Sequence, residues 1–266
     1  MRYICNRSCV YKVVTTYYDK RMNIFTTINI IAFVIFGIIG LTFAIKNRKD
    51  FNGLIQLQIN RQTMTGFTIM MFISGLIMAI AFAINMEMGL LEIESRKNAF
   101  ILIKNIPSEL INAVGEEFMI RAFVFIGILV VLDNKLFALI LSSIIFCFLH
   151  NPDSIISIIS YFLAGLMYGV AFLGLRSIWA PIGLHFGWNY FQGIVFGFPV
   201  SSQVSDGYLL LVIEDNAIWN GGSTGPEGSI LGIVGRLLII TSIGLITYVF
   251  SKKISSKQFL KLSNKW

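Results

Sequence analysis

The chain has 266 residues, of which 56% are hydrophobic and 13% are charged, and its mean hydropathy is +0.76. Soluble domains average roughly 25% charged residues, so this chain lacks the charge needed to cover the surface of a water-soluble domain. Three cysteines and the absence of low-complexity tracts exclude disulfide-stapled, collagenous and disordered proteins. The composition therefore predicts an integral membrane protein with several transmembrane helices.

Positive charge is concentrated at the two ends of the chain. The net charge is +7, and residues 1–21 carry five basic residues and one acid, while residues 251–266 carry five lysines and no acid. Lys and Arg flank transmembrane helices on the cytoplasmic side. We therefore expect the C-terminal tail to lie in the cytoplasm, and we expect no nucleic-acid partner.

Apolar stretches in chain order predict seven transmembrane helices, at 24–45, 65–86, 108–132, 136–150, 155–175, 178–198 and 230–250. Ser108 is the predicted N-cap of the third of them. The apolar segment 99–106 is interrupted by Lys104 and closed by Pro107, which indicates an interfacial or re-entrant piece, or a short eighth span. The predicted fold is an all-α, polytopic membrane helix bundle of seven or eight transmembrane helices with a polar site inside the membrane.

The distribution of Lys and Arg also predicts the orientation. The loop 199–229 contains neither residue type, so it should lie outside the cell. Seven spans then place the basic residues 1–21 outside, against the rule, whereas an eighth span would expose the basic segment 46–61. A natural start at Met22 removes the conflict, and we favour that interpretation.

Few ionisable side chains fall within the predicted spans, where each costs at least roughly 2.5–3.5 kcal/mol at the helix centre and indicates a functional site. They are Glu116, Glu117, Arg121, Arg236 and the only two histidines of the chain, His150 and His185. Glu117 and Arg121 are four residues apart, so they share a helix face and can pair. Glu116 points about 100° away and keeps no counter-ion, which suits general acid–base work.

The two histidines have partners at the same spacing. His185 and Asn189 share one helix face, and Phe146 and His150 share another. Taken singly, each residue has a simpler explanation, because intramembrane ion pairs and amides often hold helices together. Acids, histidines and an amide on three separate spans, at depths that let them meet, favour one polar site. Trp179, Trp188 and Trp219, near span ends, are predicted to be interfacial anchors.

Three motifs follow one another in the chain, namely Glu116-Glu117-x-x-x-Arg121, Phe146-x-x-x-His150 and His185-x-x-x-Asn189. In this order they resemble the motifs of the CPBP (Abi, CAAX-protease-like) family of intramembrane endopeptidases. The resemblance covers about residues 110–190, and Ala122 departs from it because glycine is common at that position. It implies four regions, namely a basic N-terminal tail (1–21), N-terminal spans with an interfacial segment (22–109), the catalytic core (110–250) and a basic cytoplasmic tail (251–266).

The resemblance implies a role for each motif residue. Glu116 with His150 would activate a water for attack on a peptide carbonyl, and His185 with Asn189 would stabilise the oxyanion that forms. Supporting residues that orient the site would be Glu117, Arg121 and Phe146. The family is also described as metalloproteases, and Glu116, His150 and His185 could form a zinc site with an open water position. One divalent metal or none is therefore expected.

The predicted function is hydrolysis of a peptide bond in a membrane-associated or lipid-modified peptide, by a multi-pass protein of the cell membrane. The resemblance covers proteases that cut prenylated CAAX boxes as well as bacterial proteins linked to peptide pheromones, bacteriocin processing and bacteriocin self-immunity. The alternative is a non-catalytic membrane regulator or self-immunity protein with the same bundle. A transporter or proton relay would need acids on more spans or inverted repeats. Since every motif residue is present, the sequence favours the enzyme.

Overall fold

A computed structural model of the chain describes residues 24–152, 154–214 and 216–253. Its helices are α1 (Ile24–Lys46), α2 (Arg48–Ile55), α3 (Arg61–Glu87), α4 (Phe100–Lys104), α5 (Ile106–Glu117), α6 (Ile126–Leu132), α7 (Lys135–Leu149), α8 (Ile155–Leu175), α9 (Trp179–Asn189), α10 (Ala217–Asn220) and α11 (Ile230–Lys253). Its strands are β1 (Leu91–Arg96) and β2 (Leu209–Ile213). A π-helical segment, Phe118–Phe125, joins α5 to α6, and another, Tyr190–Val195, extends α9.

Four of the described helices are long and apolar enough to cross a membrane, namely Thr27–Lys46, Arg61–Glu87, Ile155–Leu175 and Ile230–Thr247. The other predicted spans correspond to the 15-residue α7 and to the two helical runs that contain π segments, so the count of seven stays a prediction. The five-residue α4 rises only about 7.5 Å, against roughly 30 Å of hydrocarbon. Helix α4 by itself therefore does not span the bilayer, but α5 begins two residues after it, so the eighth span also stays a prediction.

The predicted terminal features lie outside the described residues. These features are the basic tail 1–21, the proposed start at Met22 and the part of the C-terminal tail after residue 253.

Helix boundaries follow local capping chemistry, with one correction. Ser108 is not an N-cap, because α5 begins at Ile106 and takes Pro107 into its first turn, where proline needs no hydrogen-bond acceptor. The Ser108 hydroxyl instead donates to the Asn105 carbonyl at 3.0 Å. The predicted turn before α7 is confirmed, since Asp133 is left-handed with φ 46° and the Asn134 side chain caps α7.

An antiparallel ribbon is the feature that an all-helical prediction misses. β1 pairs with β2 in a register that sets Leu91 opposite Ile213, with a bulge between Ile93 and Ser95. The partners are more than 100 residues apart in sequence, and β2 lies inside the predicted loop 199–229. The ribbon is anchored beside α9, because the Tyr208 N–H donates to the Ile194 carbonyl at 2.7 Å.

Helix α9 lies in the core of the described bundle, packed against α3, α5 and α8. Residues 180–188 are all buried. Glycines allow α3 to approach closely, because a Cβ at Gly183 would lie 2.2 Å from the Phe67 carbonyl oxygen, and one at Gly187 would lie 2.4 Å from the Met71 carbonyl oxygen. The helix that carries the third motif is thus held on several sides.

Candidate functional site

The first motif lies where α5 changes into a π helix. Glu116 and Glu117 are the last two residues of α5, and Arg121 lies in the π segment that follows. Arg121 Nε lies 3.1 Å from Glu117 Oε2, an ion pair whose angle is not that of a hydrogen bond. The Glu117 side chain is fully buried, whereas that of Glu116 is 44% exposed. Glu117 is therefore the glutamate that pairs with Arg121, while the partners of Glu116 are the two histidines.

His185, from α9, is held by the paired glutamate. Its Nδ1 lies 2.9 Å from Glu117 Oε1, and because an ionised carboxylate can only accept, the Nδ1–H donates. The Nε2 of the same ring lies 3.8 Å from Glu116 Oε2. Glu117 thus fixes the tautomer and aims the other ring nitrogen at Glu116.

His150, at the end of α7, faces Glu116 in the same way. Its Nδ1 lies 2.8 Å from the Phe146 carbonyl oxygen, which can only accept, so Nδ1 again carries the proton. Its Nε2 lies 3.6 Å from Glu116 Oε2. Neither the 3.6 Å nor the 3.8 Å separation is a direct hydrogen bond. One water could bridge Glu116 to one of the two imidazoles, because it has a single hydrogen for each acceptor. The Nε2 atoms of both imidazoles therefore lie within 4 Å of the same Glu116 oxygen.

The third motif also ends at a transition from α to π helix. Asn189 is the last residue of α9, and the π segment begins at Tyr190. π-helical segments are rare in proteins, and those that occur are often found at functional sites. The Asn189 side chain is half-buried and makes no hydrogen bond to the part of the chain that the structure describes. The structure therefore joins the other motif residues through contacts and shows no hydrogen bond or ion pair between Asn189 and any of them.

Comparison with known proteins identifies the segment of the chain that carries the three motifs. Residues 98–191 match the family model of type II CAAX prenyl endopeptidase Rce1-like proteins, and the matched segment contains all three motifs. This segment belongs to the CPBP, or CAAX-protease-like, family. Neither the curated proteins nor the solved structures contain a match. Together with its four long apolar helices, the CAAX-protease-like segment makes this an integral membrane protein.

One wall of the candidate site comes from α8, a predicted span that carries no motif and whose contribution to the site the sequence did not indicate. The Tyr168 ring stacks on His185 with centroids 4.7 Å apart, and the Tyr161 ring lies 5.1 Å from that of His150. Between them, the Gly165 carbonyl accepts a 2.9 Å hydrogen bond from Arg121 Nη2. The available signal was two tyrosines seven residues apart, on one face of an apolar helix.

A second buried charge cluster lies behind the CAAX-protease-like site. Arg236 Nη2 is 3.7 Å from Glu227 Oε2, and Nη1 donates to the Glu227 carbonyl and to Ser160 Oγ. Glu227 Oε1 accepts from the Ser201 N–H at 2.5 Å. The guanidinium lies 4.5 Å over the Trp188 ring. The prediction of Trp188 as an interfacial anchor is wrong, because the side chain is fully buried against this cation. Sequence reasoning identified Arg236 but not its partners.

The side chains of Glu116, His150 and His185 fit the expected zinc site only in part. Two imidazoles and a carboxylate are zinc ligands, and both tautomers leave the Nε2 lone pair facing Glu116, as ligation requires. However, across residues 24–152, 154–214 and 216–253 no group of three or more His, Cys, Asp or Glu side chains is arranged so as to hold a metal ion.

Proposed function

We propose that this chain is an intramembrane endopeptidase that hydrolyses a peptide bond in a membrane-associated or lipid-modified peptide. The observation that supports this function is the position of the Glu116 carboxylate, 3.6 Å and 3.8 Å from the Nε2 atoms of His150 and His185. Glu116 is also the most exposed member of an otherwise buried cluster. A substrate carbonyl and a water can reach it, while the supporting ion pair stays out of solvent.

Water activation is the first step of the proposed reaction. A water between Glu116 and His150 donates one hydrogen bond to each, since both the carboxylate and the imidazole Nε2 accept. Glu116 takes a proton as the water oxygen attacks the peptide carbonyl, and the same carboxyl returns that proton to the leaving amine. Glu116 therefore both accepts and returns the proton, so the reaction needs no other proton donor.

The oxyanion of the tetrahedral intermediate needs hydrogen-bond donors. Asn189 supplies an amide N–H, and His185 supplies one through Nε2 when both of its ring nitrogens are protonated. Glu117 and Glu116 then flank the positive imidazole at 2.9 Å and 3.8 Å, which stabilises that form. Removal of one oxyanion donor costs about 2.7–4 kcal/mol in well-studied hydrolases.

The remaining parts of the proposal concern the membrane. In this proposal, residues 110–250 form the catalytic core, the chain crosses the membrane seven times, and the polar site lies within the bilayer in a water-accessible cavity lined by protein. The basic C-terminal tail lies in the cytoplasm according to the positive-inside rule. The substrate peptide enters from the lipid side, and the bilayer itself is the second partner.

Cleavage of a fluorogenic farnesylated CAAX peptide by the purified chain in lipid vesicles tests the proposed chemistry. Loss of a general base or acid typically costs 10²–10⁴-fold in rate, so Glu116→Gln, His150→Ala and His185→Ala should each lose activity to about this extent. Glu94→Gln is the control, because Glu94 is an exposed glutamate on β1. Equal cleavage by all three site variants and the wild type would reject the enzyme in favour of a non-catalytic regulator.

Metal content is a separate measurement. One zinc per chain in the purified protein, lost together with activity on chelation and regained on addition, would assign water activation to a bound metal. Activity that persists in a chelated, metal-free preparation assigns it to Glu116 and His150.

A further inference from the structure

We propose that Tyr161 and Tyr168 are positioning residues, one for each imidazole of the site. This inference rests on the proposed function, because it says how the two histidines are kept in the geometry that the reaction needs. Both tyrosines belong to α8, which contributes no motif residue.

Tyr168 controls the orientation of His185. The two rings are nearly parallel, with an interplanar angle of 12° and centroids 4.7 Å apart, and both side chains are buried. Glu117 holds the edge of the imidazole through Nδ1, but a hydrogen bond at one edge leaves the ring free to tilt about it. Contact along the ring face removes that motion. The hydrogen bond to Glu117 and the ring contact with Tyr168 together therefore set the direction of His185 Nε2.

Tyr161 has the corresponding place beside His150. Its ring lies 5.1 Å from the imidazole at an angle of 32°, and Phe146 lies 4.3 Å from the same imidazole. His150 follows the last residue of α7, where the backbone no longer forms a regular helix. Aromatic packing therefore matters more for His150 than for a histidine inside a helix.

The spacing of the tyrosines explains how one helix serves both histidines. Seven residues are two helical turns, about 10.5 Å along one face, and Gly165 lies between them. A Cβ at Gly165 would lie 2.7 Å from the Ser143 Cα, so α8 packs directly on the backbone of α7. The Gly165 carbonyl also accepts from Arg121. Both tyrosines are thus fixed to the helices that carry the first two motifs.

The proposal makes the aromatic ring, and not the hydroxyl, the functional part. A misplacement of about 1 Å in a catalytic group can cost about 100-fold in rate. Leucine at either position keeps apolar volume but removes the flat surface. We therefore expect Tyr161→Leu and Tyr168→Leu to lower kcat by about 10- to 100-fold with little change in KM. Tyr168→Phe should stay within about threefold of the wild type.

Histidine NMR supplies a readout that does not depend on activity. The chain has only two histidines, so a full-length sample labelled with ¹³C-histidine and purified without a histidine tag gives two imidazole signals. Ring currents from a stacked phenol shift the signal of the ring beneath it. Tyr168→Leu should move the His185 signal and leave that of His150, and Tyr161→Leu should do the reverse. Substitution of each histidine assigns the two signals.

Phe172→Leu is the matched control. Phe172 is a buried aromatic residue on the same helix, and its ring contact is with Phe125 at 5.7 Å. This variant should keep both histidine signals and kcat, so a loss equal to that of Tyr168→Leu would overturn the proposal. The proposal also fails if Tyr168→Leu folds and leaves the His185 signal and kcat unchanged. If the wild type cleaves nothing while the signals move as expected, the protease proposal fails and the pairing of tyrosines with histidines is supported.

Discussion

Glu117 and His185 are joined by a 2.9 Å hydrogen bond in a region where the glutamate has no exposed surface. The bond connects α5 to α9 and thus links the first motif to the third. The neighbouring Glu116 is 44% exposed and lies 3.8 Å from the same imidazole. Two adjacent glutamates therefore differ in environment, and the difference predicts separate consequences for stability and for activity.

Glu117→Gln should lower the stability of the fold, whereas Glu116→Gln should not. Neutralising Glu117 leaves Arg121 as a buried cation without its counter-ion, and breaking a buried pair costs about 3–5 kcal/mol. Glu116→Gln should stay within about 0.5 kcal/mol, as is usual for partly exposed positions. Reversible unfolding in mixed micelles measures both. Equal losses for the two variants would contradict the assigned roles.

Arg236→Met should destabilise the chain through the second buried cluster. The substitution leaves Glu227 unpaired and removes the cation from the Trp188 ring, at a cost of about 3–5 kcal/mol. Adding Glu227→Gln to Arg236→Met should recover part of the loss, with a coupling energy of about 0.5–3 kcal/mol in a double-mutant cycle. Strictly additive effects would mean that the 3.7 Å ion pair contributes nothing.

Gly187→Ala should push α9 away from α3. The new methyl group would lie 2.4 Å from both the Met71 carbonyl oxygen and Ser74 Oγ, and overpacking of this kind costs about 1–3 kcal/mol. Because His185 lies on the same helix, cleavage should also fall. Gly66→Ala is the control, since nothing lies within 4 Å of its added Cβ; it should change stability by less than about 1 kcal/mol. Similar unfolding midpoints for the two variants would argue against close helix packing.

Asn189→Leu should reduce kcat by about 10²–10³-fold while KM changes little, because an oxyanion donor acts in the transition state. The folded state should tolerate the change, since the side chain makes no hydrogen bond to any residue that the structure describes. Steady-state kinetics on the farnesylated peptide measure the effect. Asn112→Leu replaces an exposed amide on α5 and should leave both constants unchanged. A rise in KM alone would assign Asn189 to substrate binding instead.

The residues of the candidate site were largely predictable because their chemistry is conspicuous in an apolar chain. Glu117 and Arg121 form the expected i,i+4 pair, and both histidines meet at Glu116. Helix spacing was enough to place each pair on one face. Tyr161 and Tyr168 were not predictable in the same way, because an aromatic residue in an apolar helix is ordinary.

Low charge makes each ionisable residue within a predicted span significant, so the class of the protein and the candidate groups of its site could be inferred from the sequence. Which of these groups meet depends on the tertiary structure. The pairing of β1 with β2 depends on contacts between strands more than 100 residues apart, which no local pattern encodes. Arg236 meets Trp188 and Glu227 through similar long-range packing. Trp188, which the sequence predicts to be an interfacial anchor, is instead buried against the Arg236 guanidinium. Both examples depend on contacts between elements that are far apart in the sequence and close together only in the folded chain.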